Sequence, residues 1–207
     1  MLRVVFILML QCSILVNLCA QNVDTVINTG TYKSYFSFGI KAPLYVTYTL
    51  FRGGGSCNRK KQGFYFKQDA IKTTSKSQDY TNSTYQKGHL ANAEDFAFDC
   101  LKAEITFRFY NCFPQTARLN NGTWKYWENQ IRKESQKRKL FIIAGGIYSK
   151  SFIGLKVGVP DYCYKIVLES ATKKILYCLI FKNDNSNKYT MITLKDLKAR
   201  LKYPLIP

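Results

Sequence analysis

Five residues, Glu169 to Lys173, separate two β-rich apolar runs, Tyr162 to Leu168 and Lys174 to Lys182. So short a link reads as a hairpin, which makes the two strands antiparallel neighbours. Three further runs read as strands. Leu140 to Tyr148 is one, Ala42 to Leu50 is rich in β-branched and aromatic residues, and Ile105 to Tyr110 alternates strongly. Helical periodicity occurs in two places. From Asn120 or Asn121 to about Lys137, Trp124, Trp127 and Ile131 form an apolar face opposite Glu128, Arg132 and Lys133. Leu194 to Leu201 forms a short amphipathic terminal helix. Strands outnumber helices without regular alternation, so the expected class is α+β, with a mainly antiparallel central sheet flanked by helices. Arg52 to Ser56 reads as a glycine turn, since it lacks the spacing of a phosphate-cradling loop, and Thr73 to Thr84 reads as a polar loop.

With 207 residues the chain is long enough for one domain, expected over residues 21–207. Residues 1–20 have the order of a secretory signal peptide: Arg3, then the apolar Val4 to Leu10 and Ile14 to Leu18, closing on Ala20. The expected protein is therefore secreted, with no stable membrane association after cleavage. The net charge is +18, or +17 once Arg3 leaves with the leader, which implies a polyanionic partner. Five of the seven cysteines follow the leader: Cys57, Cys100, Cys112, Cys163 and Cys178. In an oxidising compartment they suggest two disulfides and a spare thiol, with the pairing open. One histidine and no tight cysteine spacing argue against a structural zinc.

That histidine, His89, lies in Tyr85-Gln86-Lys87-Gly88-His89-Leu90-Ala91-Asn92-Ala93-Glu94-Asp95-Phe96. A neutral imidazole suits a general base near pH 7, although a lone histidine is more often structural. Downstream comes Asn111-Cys112-Phe113-Pro114-Gln115-Thr116-Ala117-Arg118-Leu119-Asn120-Asn121-Gly122-Thr123-Trp124, followed by Glu128. Together these segments resemble the two signatures of the DNA/RNA non-specific endonucleases of the ββα-metal superfamily, which includes endonuclease G and many secreted nucleases. The resemblance covers roughly residues 42–203 and implies a ββα-metal finger active site. It also implies cleavage of DNA and RNA through contacts to the phosphate backbone, leaving 5′-phosphate and 3′-hydroxyl ends.

The resemblance assigns roles residue by residue. His89 abstracts a proton from water; Asn120 is the single direct protein ligand of Mg²⁺, with Mn²⁺ as the alternative ion. Glu128 holds a water of the ion's hydration shell, Lys87 and Arg132 meet phosphate, and Asn111 and Gln115 order the surrounding loop. Plainer readings stand beside these: Asn120 as a helix N-cap, and Glu128 with Arg132 as a surface i, i+4 ion pair. Gln86 stands where the family has an acid, Lys87 where it has Arg, Asn92 where it has Pro, and Glu94 where it has a small residue. The family's upstream Arg has no clean counterpart, with Arg59, Lys60 and Lys61 as substitutes. A glycan on the Asn121 sequon would crowd the metal ligand, so that sequon is expected to stay unused. The alternative functions are a nuclease-like protein that sequesters nucleic acid without cutting, and a cationic surface-active protein. A monomer and a homodimer fit the sequence equally.

Overall fold

A computed structural model of the chain describes residues 21–69 and 71–205; the leader read over residues 1–20 lies outside them. Seven strands form one antiparallel sheet in the order β1-β2-β3-β6-β7-β8-β9: β1 Thr25–Asn28, β2 Lys33–Ser37, β3 Ala42–Leu50, β6 Leu140–Ile153, β7 Val157–Glu169, β8 Ile175–Lys182 and β9 Tyr189–Met191. A separate two-stranded antiparallel ribbon pairs β4 Tyr85–His89 with β5 Cys112–Thr116. Around the strands lie α1 Ser77–Tyr80, α2 Cys100–Ile105, α3 Ala117–Leu119, α4 Lys125–Ser135 and α5 Leu194–Arg200.

Central strands β3, β6 and β7 are buried on both faces, so they read as nearly continuous apolar runs. On one side of β7, the Tyr164 hydroxyl hydrogen-bonds to that of buried Tyr203, which stacks on Tyr45 and donates to the carbonyls of Leu44 and Gly146. On the other lies α4, which buries Trp127 and Ile131 while Lys133 faces outward, as the sequence periodicity requires. The expected strand at Ala42–Leu50 coincides with β3. The hairpin over residues 162–182 is present as β7 and β8, both parts of longer or shifted strands.

Ile105 to Tyr110 is not a strand. Asp99 caps α2 by accepting from the backbone N–H groups of Leu101 and Lys102, which carries helix through Ile105. Phe109–Asn111 then makes a 3₁₀ turn. The alternating rings serve a local cluster instead: Phe107 packs on Phe66 and His89, and Phe109 packs on Phe66. The polar stretch Thr73–Thr84 contains α1, where the Asp79 carboxylate accepts from the N–H groups of Lys76 and Leu155.

The cysteines also differ from expectation. Cys57 and Cys100 form a disulfide, whereas Cys112, Cys163 and Cys178 are buried free thiols. Cys163 is held against the Gln115 amide and Cys112 against the Tyr80 hydroxyl, each enclosed in the core rather than beside another sulfur.

Leu44 in β3 is fully buried, whereas Leu101 on α2 is 78% exposed. Leu44→Ala is expected to cost about 2–5 kcal/mol in urea unfolding with an unchanged slope, and Leu101→Ala less than about 0.5 kcal/mol.

Candidate active site

The β4–β5 ribbon delivers His89 to one wall of a polar cleft of about 450 Å³, and the helical run after β5 delivers Asn120 and Glu128 to another. Arg59, Asn92, Glu94, Asn121, Lys125, Asn129 and Arg132 complete the lining. Close approach of the ribbon strands requires Gly88, because a Cβ there would overlap the Gln115 side chain. A second glycine shapes the opposite wall. Over Asn120–Trp124 the chain kinks between α3 and α4, with Gly122 at φ −99°, ψ −115°, outside the helical region. Asn187 stabilises the kink by accepting from the Thr123 N–H at 2.8 Å.

The His89 ring lies 4.6 Å from Phe66 and 4.7 Å from Phe107, centroid to centroid. Its Nε2 is covered and has no hydrogen-bond partner among the described residues. Burial first, and then the Arg59 charge, push its pKa down to about 3, so the imidazole is neutral over the physiological range. Its carbonyl accepts from Trp124 Nε1 at 3.2 Å, which ties ribbon to helix.

Asn120 Nδ2 donates to Gln86 Oε1 at 2.8 Å, and Asn121 Nδ2 to the same oxygen at 3.1 Å. Gln86 therefore orients the Asn120 amide and leaves its oxygen for a ligand. Among the described residues no group of three or more His, Cys, Asp or Glu gathers into a metal cage. A hard ion that keeps most of its water fits an arrangement with one amide oxygen and a nearby carboxylate.

Glu128 is 6% exposed, with Oε1 3.8 Å from Lys165 Nζ. Burial raises its pKa to about 7, against the pull of Lys165; Asp95 adds to the rise, while Arg132 and Asn92 oppose it. Arg132 Nε donates to buried Asp95 at 2.9 Å and Nη1 to Asn129 at 2.8 Å. Asp95 also accepts from Tyr48. Arg132 is therefore held from behind by a carboxylate rather than paired with Glu128 along the helix surface.

Asn111 and Gln115 are both fully buried. Asn111 exchanges hydrogen bonds with the Ala91 backbone in both directions and donates to the Thr106 carbonyl, which fixes the chain just after His89. Lys87 does not line the cleft: its ammonium sits over the Tyr80 ring, 5.4 Å from the centroid. Arg59 does line it, on the segment anchored by the Cys57–Cys100 disulfide, with Nη2 3.5 Å from Glu94 Oε2. Asp95 and Lys165 carried no role in the sequence reading. Asp95 lay visible inside the first signature, but nothing local marks Lys165 as part of the site.

A hairpin ending on histidine, packed against a helical run that is capped by Thr116 and carries Asn120 just past its first turn, is the ββα-metal arrangement. A model of the DNA/RNA non-specific endonucleases matches residues 14–202, and the chain belongs to that family. It is 37% identical over 92 residues to a nuclease of Nostoc sp., covering 43% of this chain and 33% of that protein. It is 31% identical over 134 residues to the mitochondrial nuclease of Saccharomyces cerevisiae, covering 55% of this chain and 41% of that one. The matched parts thus span well under half of either relative. The fold is shared with a chain in the crystal structure of the EndoG/EndoGI complex, with a TM-score of 0.73, 23% identity, and coverage of 87% of this chain and 84% of that one.

Because the His89 pKa falls from 6.5 to about 3 on folding, the unfolded chain binds this proton more readily. Its contribution to stability is complete above about pH 6.5 and is lost progressively as pH falls from there. Thermal unfolding between about pH 8 and 4 should therefore show a steeper acid-side loss for wild type than for His89→Asn. Parallel curves would contradict the buried neutral imidazole.

Proposed function

We propose that the protein is an exported, metal-dependent endonuclease that hydrolyses phosphodiester bonds in DNA and RNA with little sequence preference. The observation that carries this reading is the convergence of His89, Asn120, Glu128, Arg132 and Arg59 on one polar cleft. His89 takes the proton of the attacking water. Burial is the larger cause of its low pKa, so a phosphate entering beside Arg59 offsets only the smaller part and His89 acts as a weak base. Asn120 offers its amide oxygen to Mg²⁺ or Mn²⁺, and Glu128 accepts hydrogen bonds from water at the cleft wall. When bound, the ion supplies positive charge to the pentacoordinate phosphorus and the leaving 3′-oxygen. Arg59 and Arg132 hold the flanking phosphate oxygens. Lys87, outside the cleft, is left at most with a distant backbone phosphate. Low sequence preference follows because these cations meet phosphates rather than base edges.

Export is supported by the apolar leader and by the Cys57–Cys100 disulfide, which suits an oxidising compartment. In a secretory host the protein should reach the medium with Gln21 as its first residue; retention with residues 1–20 intact would overturn export.

Plasmid DNA and RNA should both be cut with Mg²⁺ and left intact with EDTA. His89→Ala and Asn120→Ala should each lower the rate by about 10²–10⁴-fold, the range for losing a positioned proton acceptor or ion. Tight binding without cutting by wild type would replace this reading with sequestration of nucleic acid. That outcome has a specific motive in Glu94, whose carboxylate occupies Arg59 within the cleft.

A further inference from the structure

A buried ammonium lies behind the cleft. Lys165, in the middle of β7, is fully buried between β6 and β8 in the sheet. Its Nζ is 3.8 Å from Glu128 Oε1 and 3.8 Å from the centroid of the Trp124 indole, and it has no hydrogen-bond partner among the described residues. Asp95, Cys163 and Arg132 also act on its charge, and Asp95, Arg132 and Asn92 on that of Glu128. Desolvating an ammonium is costly, and a buried ion pair is often no more stable than apolar residues of the same volume. A methionine would fill this space at no such cost. Packing therefore gives no reason for lysine here, whereas the contacts do. One side of the ammonium faces the only carboxylate on α4 that lines the cleft. The other rests on the indole whose Nε1 holds the His89 carbonyl.

We propose that Lys165 is a positioning residue, whose buried ammonium fixes the Glu128 carboxylate at the cleft wall and steadies the indole that anchors His89. Enclosed behind the helix, it touches neither substrate nor ion. The inference rests on the nuclease reading of the cleft, and its test separates the two.

Lys165→Met, Glu128→Gln and the double variant are compared with wild type by DNA cleavage from about pH 5 to 9 and by thermal unfolding at neutral pH. Lys165→Met should lower kcat by roughly 10–100-fold with little change in KM, the pattern of a lost transition-state contribution. It should also move the acid limb of the kcat profile upward by about 1–3 pH units, as expected when an opposite charge is removed from beside a carboxylate. The double variant should unfold at a higher temperature than the summed single effects allow, because neither charge is then left buried alone. A wild-type kcat and acid limb in Lys165→Met, or additive shifts in unfolding temperature, would overturn the proposal. If Lys165→Met does not fold, a folded double variant supports the pairing, and failure of both shows a lysine needed only for packing. If wild type itself does not cut, the nuclease reading fails, while the unfolding cycle still decides whether the two groups are paired.

Discussion

Trp124 is where the sheet, the ribbon and the helix meet. Its indole is fully buried, edge-on to Phe181 of β8 at 5.2 Å, tilted against Phe113 of β5 at 6.4 Å, and beneath the Lys165 ammonium of β7. Its single N–H is spent on the His89 carbonyl at the end of β4. An aromatic of this size supplies the apolar area that docks the helix, and one directed hydrogen bond converts that docking into a fixed relation between His89 and the helix start. The relative placement of His89 and Asn120 thus depends on a core contact rather than on the loop between them.

The site is built with charges behind it. Asp95 holds Arg132, Lys165 faces Glu128, and Tyr48 completes the hydrogen bonding of Asp95. In a low-dielectric wall these groups cannot reorient freely, so the cleft side chains are fixed before any substrate arrives. The front of the cleft is different. Arg59 and Glu94 are each about two-fifths exposed and sit on segments outside the main sheet, where solvent screens the pair and holds it only weakly.

Much of this was legible in the residue order. The helix face of Trp124, Trp127 and Ile131, the strand at Ala42–Leu50 and the hairpin through residues 162–182 all follow from periodicity, because each buries an uninterrupted apolar pattern. Three short strands toward the sheet edges, β1, β2 and β9, do not stand out in the sequence. Thr25–Asn28 and Lys33–Ser37 are brief, and the pairing of β1 with β2 and of β2 with β3, rather than their own composition, makes them strands. The alternation of Ile105–Tyr110 misled because rings spaced along an irregular turn can converge on Phe66 and His89 as well as on a sheet face.

By itself the sequence determined the antiparallel class, the basic charge, and the histidine and asparagine that open onto one cleft, since each is written in local pattern or motif. The tertiary structure alone decided that Cys57 joins Cys100, that Arg59 enters the cleft while Lys87 turns to Tyr80, and that Lys165 is buried against Glu128. The physical reason is that the fate of a charge or a thiol depends on what lies opposite it. In this fold those opposing groups come from elements distant along the chain.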